Sequence, residues 1–176
     1  MAGTDVAPPV VLVDVCGDPA GLVVDFLNTL DVEQGTDQLV SLEGWRDWLR
    51  ARDLSERFPD QDQTSLEQAR VLREDLRRRA GGDDCSEVRQ VGIQVALTPR
   101  GQVSLSATAP TGLVAAAVAT LAIEGRLDRV KICPADDCRW TFYDESRNHS
   151  RQWCSMRVCG NRAKARTHRE RARASG

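Results

Sequence analysis

Four stretches of the chain repeat apolar residues at the three- and four-residue interval that gathers them on one side of a helix. The first opens at Gly17-Asp18-Pro19, where proline suits an initial helical turn, and runs through Leu22, Val23, Phe26, Leu27 and Leu30. Ser41 is placed to cap the second, whose buried face is Trp45, Trp48 and Leu49. Thr64-Ser65-Leu66-Glu67 reads as a capping box for the third, which continues through Ala69, Leu72 and Leu76 to a stop at Gly81-Gly82. Pro110 opens the fourth, an Ala-rich helix through Leu113, Ala117 and Leu121 that Gly125 ends. A two-residue period takes over in Val91, Ile93, Val95 and Leu97 and again in Val103, Leu105 and Ala107. With Thr98-Pro99-Arg100-Gly101 between them, these runs predict a β-hairpin. Short apolar β-type runs, Val10 to Val15 and Val130 to Ile132, stand before the first helix and after the fourth.

The pattern predicts an α+β fold with a mainly helical N-terminal domain that carries one hairpin. Trp45 and Trp48 are expected in its core, and Asp25 and Asn28, three apart on the first helix, as polar caps or contacts between helices. At 176 residues the chain has room for one domain, or for one domain with a small appended module. Charge favours the second. Residues 126–176 hold thirteen Lys or Arg against six Asp or Glu, a formal +7, and the whole chain is −2, which leaves −9 for the first 125 residues. An acidic body with a basic end implies that the basic end meets a polyanion. The division is expected at 1–128 and 129–176.

The first fifteen residues lack the positive flank and apolar run of a signal peptide. The longest apolar run, Leu113 to Ile123, is far short of the roughly 18 to 20 residues of a membrane helix. A soluble, cytoplasmic protein with no membrane partner is therefore expected, in a compartment where thiolate and metal prevail over disulfide. Four of the six cysteines, Cys133, Cys138, Cys154 and Cys159, form two pairs with four residues inside each pair and fifteen between them. This is the spacing of a tetrahedral site for one structural zinc, and the stretch between the pairs is long enough for a hairpin that returns the chain. An all-thiolate site leaves no open position, and no pairing of nucleophile with base is visible, so no enzyme is expected. His149 is the only other candidate near the quartet, as an alternative ligand. Cys16 and Cys85 are read as ordinary thiols. Trp140, Phe142, Trp153 and Met156 would make only a mini-core around the metal.

Around the cysteines stand Phe142-Tyr143-Asp144, Ser146-Arg147-Asn148, Ser150-Arg151, Trp153-Cys154-Ser155-Met156 and Cys159-Gly160-Asn161-Arg162, with Lys164 following. This segment resembles a CGNR zinc finger. Residues 17–30, with Asp25-Phe26-Leu27-Asn28-Thr29-Leu30, are similar to the opening of the ABATE domain that usually precedes that finger. The resemblance implies a bacterial, stress-linked transcription regulator whose finger binds DNA, and it spans nearly the whole chain.

The residues point the same way. A helix beginning near Gly160, tied by zinc to the first cysteine pair, gives a treble-clef-like finger ending in a basic helix. Arg162, Arg166, Arg169 and Arg173 recur at four, three and four residues, one stripe of that helix, with Lys164 and Arg171 beside it and His168 on its surface. The expected mechanism is neutralisation of duplex-DNA phosphates by Arg162, Lys164, Arg166, Arg169 and Arg173, with Arg147, Asn148, Arg151 and Asn161 nearer the bases. The N-terminal domain would sense a small-molecule effector through residues the sequence does not mark, or form a homodimer. The alternative is a zinc-stabilised module that grips a protein or RNA.

Overall fold

The computed structural model describes residues 17–83, 89–97 and 103–174. The Val10 to Val15 run, the Thr98 to Gly101 turn, Cys16 and Cys85 lie outside them. Helix α1, Pro19–Leu27, begins at the expected proline and buries Leu22, Val23, Phe26 and Leu27. Leu30 falls past its end, in a two-residue strand β1 (Leu30–Asp31) that pairs antiparallel with β2 (Thr36–Asp37). A 3-10 turn at Gln38–Val40 leads to α2, Leu42–Arg50, where the Ser41 hydroxyl accepts from the Gly44 N–H at 3.1 Å, as expected. Helix α3 spans Gln63–Gly81. Its capping box sits two residues earlier than the sequence suggests: Asp62 accepts from the Ser65 N–H at 2.8 Å, and Ser65 Oγ accepts from the Asp62 N–H at 2.9 Å. The carboxylate of Asp62 starts the helix two residues before Thr64, which then lies inside its first turn. Gly82 ends α3 at φ 85°, a left-handed conformation that side chains resist.

Strands β3 (Gln94–Leu97) and β4 (Val103–Ser106) form the predicted hairpin, with Val95 opposite Leu105. The strand is shorter than the alternation, leaving Val91 and Ile93 outside it. Burial divides the two strands: Leu105 of β4 is buried, whereas its cross-strand neighbour Val95 and Leu97, both of β3, are 62 % and 76 % exposed. Helix α4, Pro110–Ile123, packs along α1 and is buried over most of its length. The core gathers α1, α2, α3 and α4 around stacked Trp45 and Trp48, whose ring centroids are 5.2 Å apart, with Phe26 edge-on to both. Both tryptophans are core residues, as expected, and Trp45 Nε1 donates to Gln61 Oε1 at 2.9 Å.

A second 3-10 turn, Leu127–Arg129, feeds β5 (Val130–Ile132), which pairs antiparallel with β6 (Thr141–Tyr143). The hairpin therefore encloses the first cysteine pair instead of filling the stretch between the pairs. Three residues of β6 follow Trp140, and an irregular loop covers the rest of the way to Cys154. A π-type turn at Met156–Gly160 then opens into α5, Asn161–Ala174. The β5–β6 hairpin is pressed onto the helical body, β6 against α1 and β5 against α3, and Val130 belongs to the main core.

Candidate metal centre and basic helix

Cysteine placement follows from two local turns. After β5, the N–H groups of Cys138 and Arg139 both donate to Ala135 O at 3.0 Å, a tight knuckle that brings Cys138 back over Cys133. Arg139 leaves it at φ 52°. On the other side, Ser155 caps the π-type turn, and Cys159 ends up buried at the entrance to α5. The two turns bring all four sulfurs within 4.8 Å of one another. Four sulfurs bound about 2.3 Å from one ion at tetrahedral corners stand about 3.8 Å apart. Here Cys138 and Cys154 Sγ are 3.5 Å apart, and Cys154 and Cys159 Sγ 3.6 Å, too far for disulfides and right for a shared ion. Burial pushes the thiols of Cys133, Cys154 and Cys159 upward. At Cys133 it is outweighed by the N–H groups of Cys154 and Ala135, which lower the thiol below its ordinary value. Burial and the neighbouring thiols push Cys154 upward and Cys159 up to about 11. Such a cluster takes a cation readily and four negative charges only with one. With all four positions filled by the chain, the site is a structural zinc.

Trp153 and Ala135 pack against the thiols, with Phe142 buried among them. The mini-core is smaller than the sequence suggests, because Met156 is 52 % exposed and Trp140 also faces outward. What the finger lacks it takes from the body. Asn28, at the end of α1, donates from Nδ2 to Thr141 O at 2.9 Å and accepts the Thr141 N–H at 2.8 Å, so one amide acts as an extra strand for β6. Of the two polar residues noted on α1, Asn28 is thus a joint and Asp25 is half of a surface ion pair with Arg52. Arg77 of α3 donates to Leu27 O at 2.8 Å and to Arg139 O at 3.0 Å, bridging the end of α1 and the first knuckle. Replacing Asn28 with Ala leaves a buried N–H and carbonyl of β6 unpaired. It is expected to cost about 2 kcal/mol and to make residues 129–172 cleave before the body in limited proteolysis.

The loop after β6 is organised by Asp144, which has no exposed surface. Its carboxylate accepts from Lys131 Nζ at 2.7 Å, from the Ser146 N–H at 2.9 Å and from the Arg151 N–H at 3.0 Å. Burial alone would raise its pKa, yet Lys131 and the donors of Ser146 and Arg151 hold it well below the usual carboxylate range. Lys131 also donates to His149 O at 2.6 Å. His149 lies outside the thiol cluster, at φ 52°, and contributes this carbonyl to the loop. Asp144 and Lys131 carry no spacing signal of their own; the buried charge emerges only when β5 and β6 pair.

The candidate contact residues fall into two groups. Arg147, Asn148, Lys164, Arg166, Arg169 and Arg173 are exposed, the last four along α5. Arg169 Nε also donates to Ala165 O at 3.3 Å, and the other three candidates, exposed as well, are engaged within the chain. Arg151 donates through Nε to Trp153 O at 3.0 Å and also to Cys154 O, with its guanidinium 4.7 Å from the Phe142 ring centroid. Asn161 Nδ2 donates to Arg157 O at 3.1 Å. Arg162 bridges Glu33, in the β1–β2 turn, at 2.6 Å and Asp137, in the first knuckle, at 3.3 Å. Glu33 links the first turn of α5 to the body, and Asp137 links it to the first knuckle of the finger.

No curated protein matches the chain. Two family models match it in succession: residues 20–127 match ABATE, described as "putative stress-induced transcription regulator", and residues 129–172 match the CGNR zinc finger. The first match covers more than half of the sequence, and the second contains all four thiols and most of α5. The chain belongs to the ABATE family and carries a CGNR zinc finger.

Proposed function

We propose that the protein is a DNA-binding regulator in which residues 129–176 contact duplex DNA and residues 1–128 sense an effector or dimerise. The observation that carries this reading is the exposed stripe Arg166, Arg169 and Arg173, with Lys164 exposed on another side, on a helix whose start is tied to the thiol cluster and, through Arg162, to Glu33 of the body. A long cationic helix repels itself, and a phosphate backbone relieves that repulsion while releasing counterions. In this reading Arg162 acts as the anchor of the helix instead of a fifth phosphate contact. Arg151 and Asn161 shape the entry to the helix, and Arg147 and Asn148 reach outward from the Asp144 loop. Among the described residues no helix is long and apolar enough to cross a membrane.

Four neutralised phosphates predict that log affinity for duplex DNA falls with log salt at a slope of about −3.6. Fluorescence anisotropy with a random-sequence duplex measures it directly. Arg166→Glu is expected to weaken binding at least about tenfold and to flatten the slope by roughly one to two. A slope near zero, or an Arg166→Glu protein that binds like wild type, would turn the reading toward a finger that grips protein.

A further inference from the structure

A cleft of about 480 Å³ opens between α3, the segment 89–92 and the first turn of α4. That volume is within the range of small-molecule sites. Val71, Leu72 and Val91 give it an apolar wall, and its polar end is the start of α4. That helix is uncapped: Ala109 supplies no side-chain acceptor, Pro110 has no N–H, and the first bond from this end is Leu113 N–H to Ala109 O at 3.2 Å. The N–H groups of Thr111 and Gly112 are left without a partner among the described residues. Thr111 itself is only 7 % exposed, lines the cleft, and its hydroxyl makes no hydrogen bond there. An unbonded hydroxyl on a largely buried residue and two N–H groups of the uncapped first turn stand together at the edge of the cleft and form an acceptor-binding corner.

Gly112 shows how closely the corner is built. A Cβ there would stand 2.6 Å from Gly92 O and 2.8 Å from the Ala107 Cβ, so glycine lets the 89–92 segment cross the helix start and wall the cleft. Arg89, at the rim, is already paired with Asp75. The positive potential inside is thus the partial charge of a helix end, suited to one negative charge and weak for two. We propose that this cleft binds a small monocarboxylic acid. The carboxylate sits on the Thr111 and Gly112 N–H groups and the Thr111 hydroxyl, and the hydrocarbon part lies against Val71, Leu72 and Val91. The acid is the effector of the regulatory reading above, on which that part rests. Helix α4 packs along α1, whose terminal Asn28 holds β6, so cleft and finger share one neighbour.

Calorimetry on the zinc-loaded full chain tests the site without DNA. Hexanoate and phenylacetate are the probes, with hexanamide and inorganic phosphate as controls. Both acids are expected to bind and both controls to fail. Thr111→Val is expected to weaken the acids about tenfold, and Thr111→Ser to leave them within about threefold of wild type. The site is overturned if neither acid binds the wild-type chain, if the amide or phosphate binds as well as the acids, or if Thr111→Val binds like wild type. Should that variant fail to fold, as judged by circular dichroism, Val71→Trp replaces it by filling the apolar wall, and undiminished binding then overturns the site. Repeating the DNA titration with saturating hexanoate separates the two claims. A shifted DNA affinity supports the effector role. Calorimetric binding with unshifted DNA affinity keeps the site and removes that role, and DNA binding without calorimetric binding overturns the site and the effector role together and leaves the DNA-binding reading standing.

Discussion

A Cys133→Ser chain is expected to purify without stoichiometric zinc and to lose the order of residues 129–172 while the helical body stays folded. The reason is the division of apolar support. The body has its own core around Phe26, Trp45 and Trp48, whereas the cluster around the metal site buries only Phe142, Cys133, Cys138 and Cys159, with Cys154 partly covered. Metal binding contributes about 10–16 kcal/mol to zinc-finger peptides at neutral pH, more than such a small cluster can replace. Cys133 is fully buried and its thiol is held below its ordinary value by the N–H groups of Cys154 and Ala135, so its loss removes an anchor for the ion. Three readouts check this: metal analysis, far-ultraviolet circular dichroism for the loss of α5, and proteolysis confined to the C-terminal third. Binding of duplex DNA is expected to vanish with the order. Because each thiol must give up a proton to the metal, apparent zinc affinity is expected to fall with falling pH, by about tenfold per pH unit for every proton displaced. Retention of α5 after complete chelation, with an unchanged cleavage pattern, would contradict the scheme.

The Asp144→Ala chain is expected to keep its zinc and lose the shape of the loop from Glu145 to Arg151. Removing one partner of a buried, hydrogen-bonded ion pair costs roughly 3–5 kcal/mol, because the other partner and its donors are left unpaired. Here the abandoned groups are the Lys131 ammonium and the N–H groups of Ser146 and Arg151. Asp144→Asn is expected to do less damage, since an amide oxygen can still accept from some of them. Chemical denaturation of zinc-loaded protein measures the cost, and exchange protection of the Arg151 amide reports the loop. The sign with pH is fixed by the depressed carboxylate. Its contribution is present above the unfolded value of about 4 and drains away as pH falls toward the lower folded value. Between pH 6 and 8 the difference between wild type and Asp144→Ala is therefore expected to be flat.

Helix positions, both proline starts, the Ser41 cap, the Gly125 stop and the cysteine quartet were legible because each is written in neighbouring residues. A period of three or four, a proline or a pair of cysteines needs no knowledge of the rest of the chain. The two halves of the hairpin were visible as alternation, but not how far the ladder extends, since Val91 and Ile93 carry the same alternation as Val95 and Leu97. What stayed hidden depends on distant partners. Arg73 and Arg77, one turn apart on α3, look like the solvated side of a helix. In the folded chain both are buried, Arg73 on Asp37 and Arg77 on the carbonyls of Leu27 and Arg139. Nothing local distinguishes an arginine that meets water from one that meets a carbonyl 62 residues away. Arg162 makes the same point for the candidate site: its place in the stripe was readable, and its bridge to Glu33, 129 residues earlier, was not.

The Asn28 and Arg77 contacts also decide how this finger could be transplanted. A graft of residues 129–176 onto an unrelated carrier would bring every sulfur and the whole cationic rod, yet leave behind the amide that completes β6, the guanidinium that props the first knuckle and the carboxylate of Glu33 that steers the rod. Chimeras between members of the family should therefore exchange the ends of α1 and α3 together with the finger. Cuts made at residue 128 alone would join parts whose mating surfaces no longer correspond.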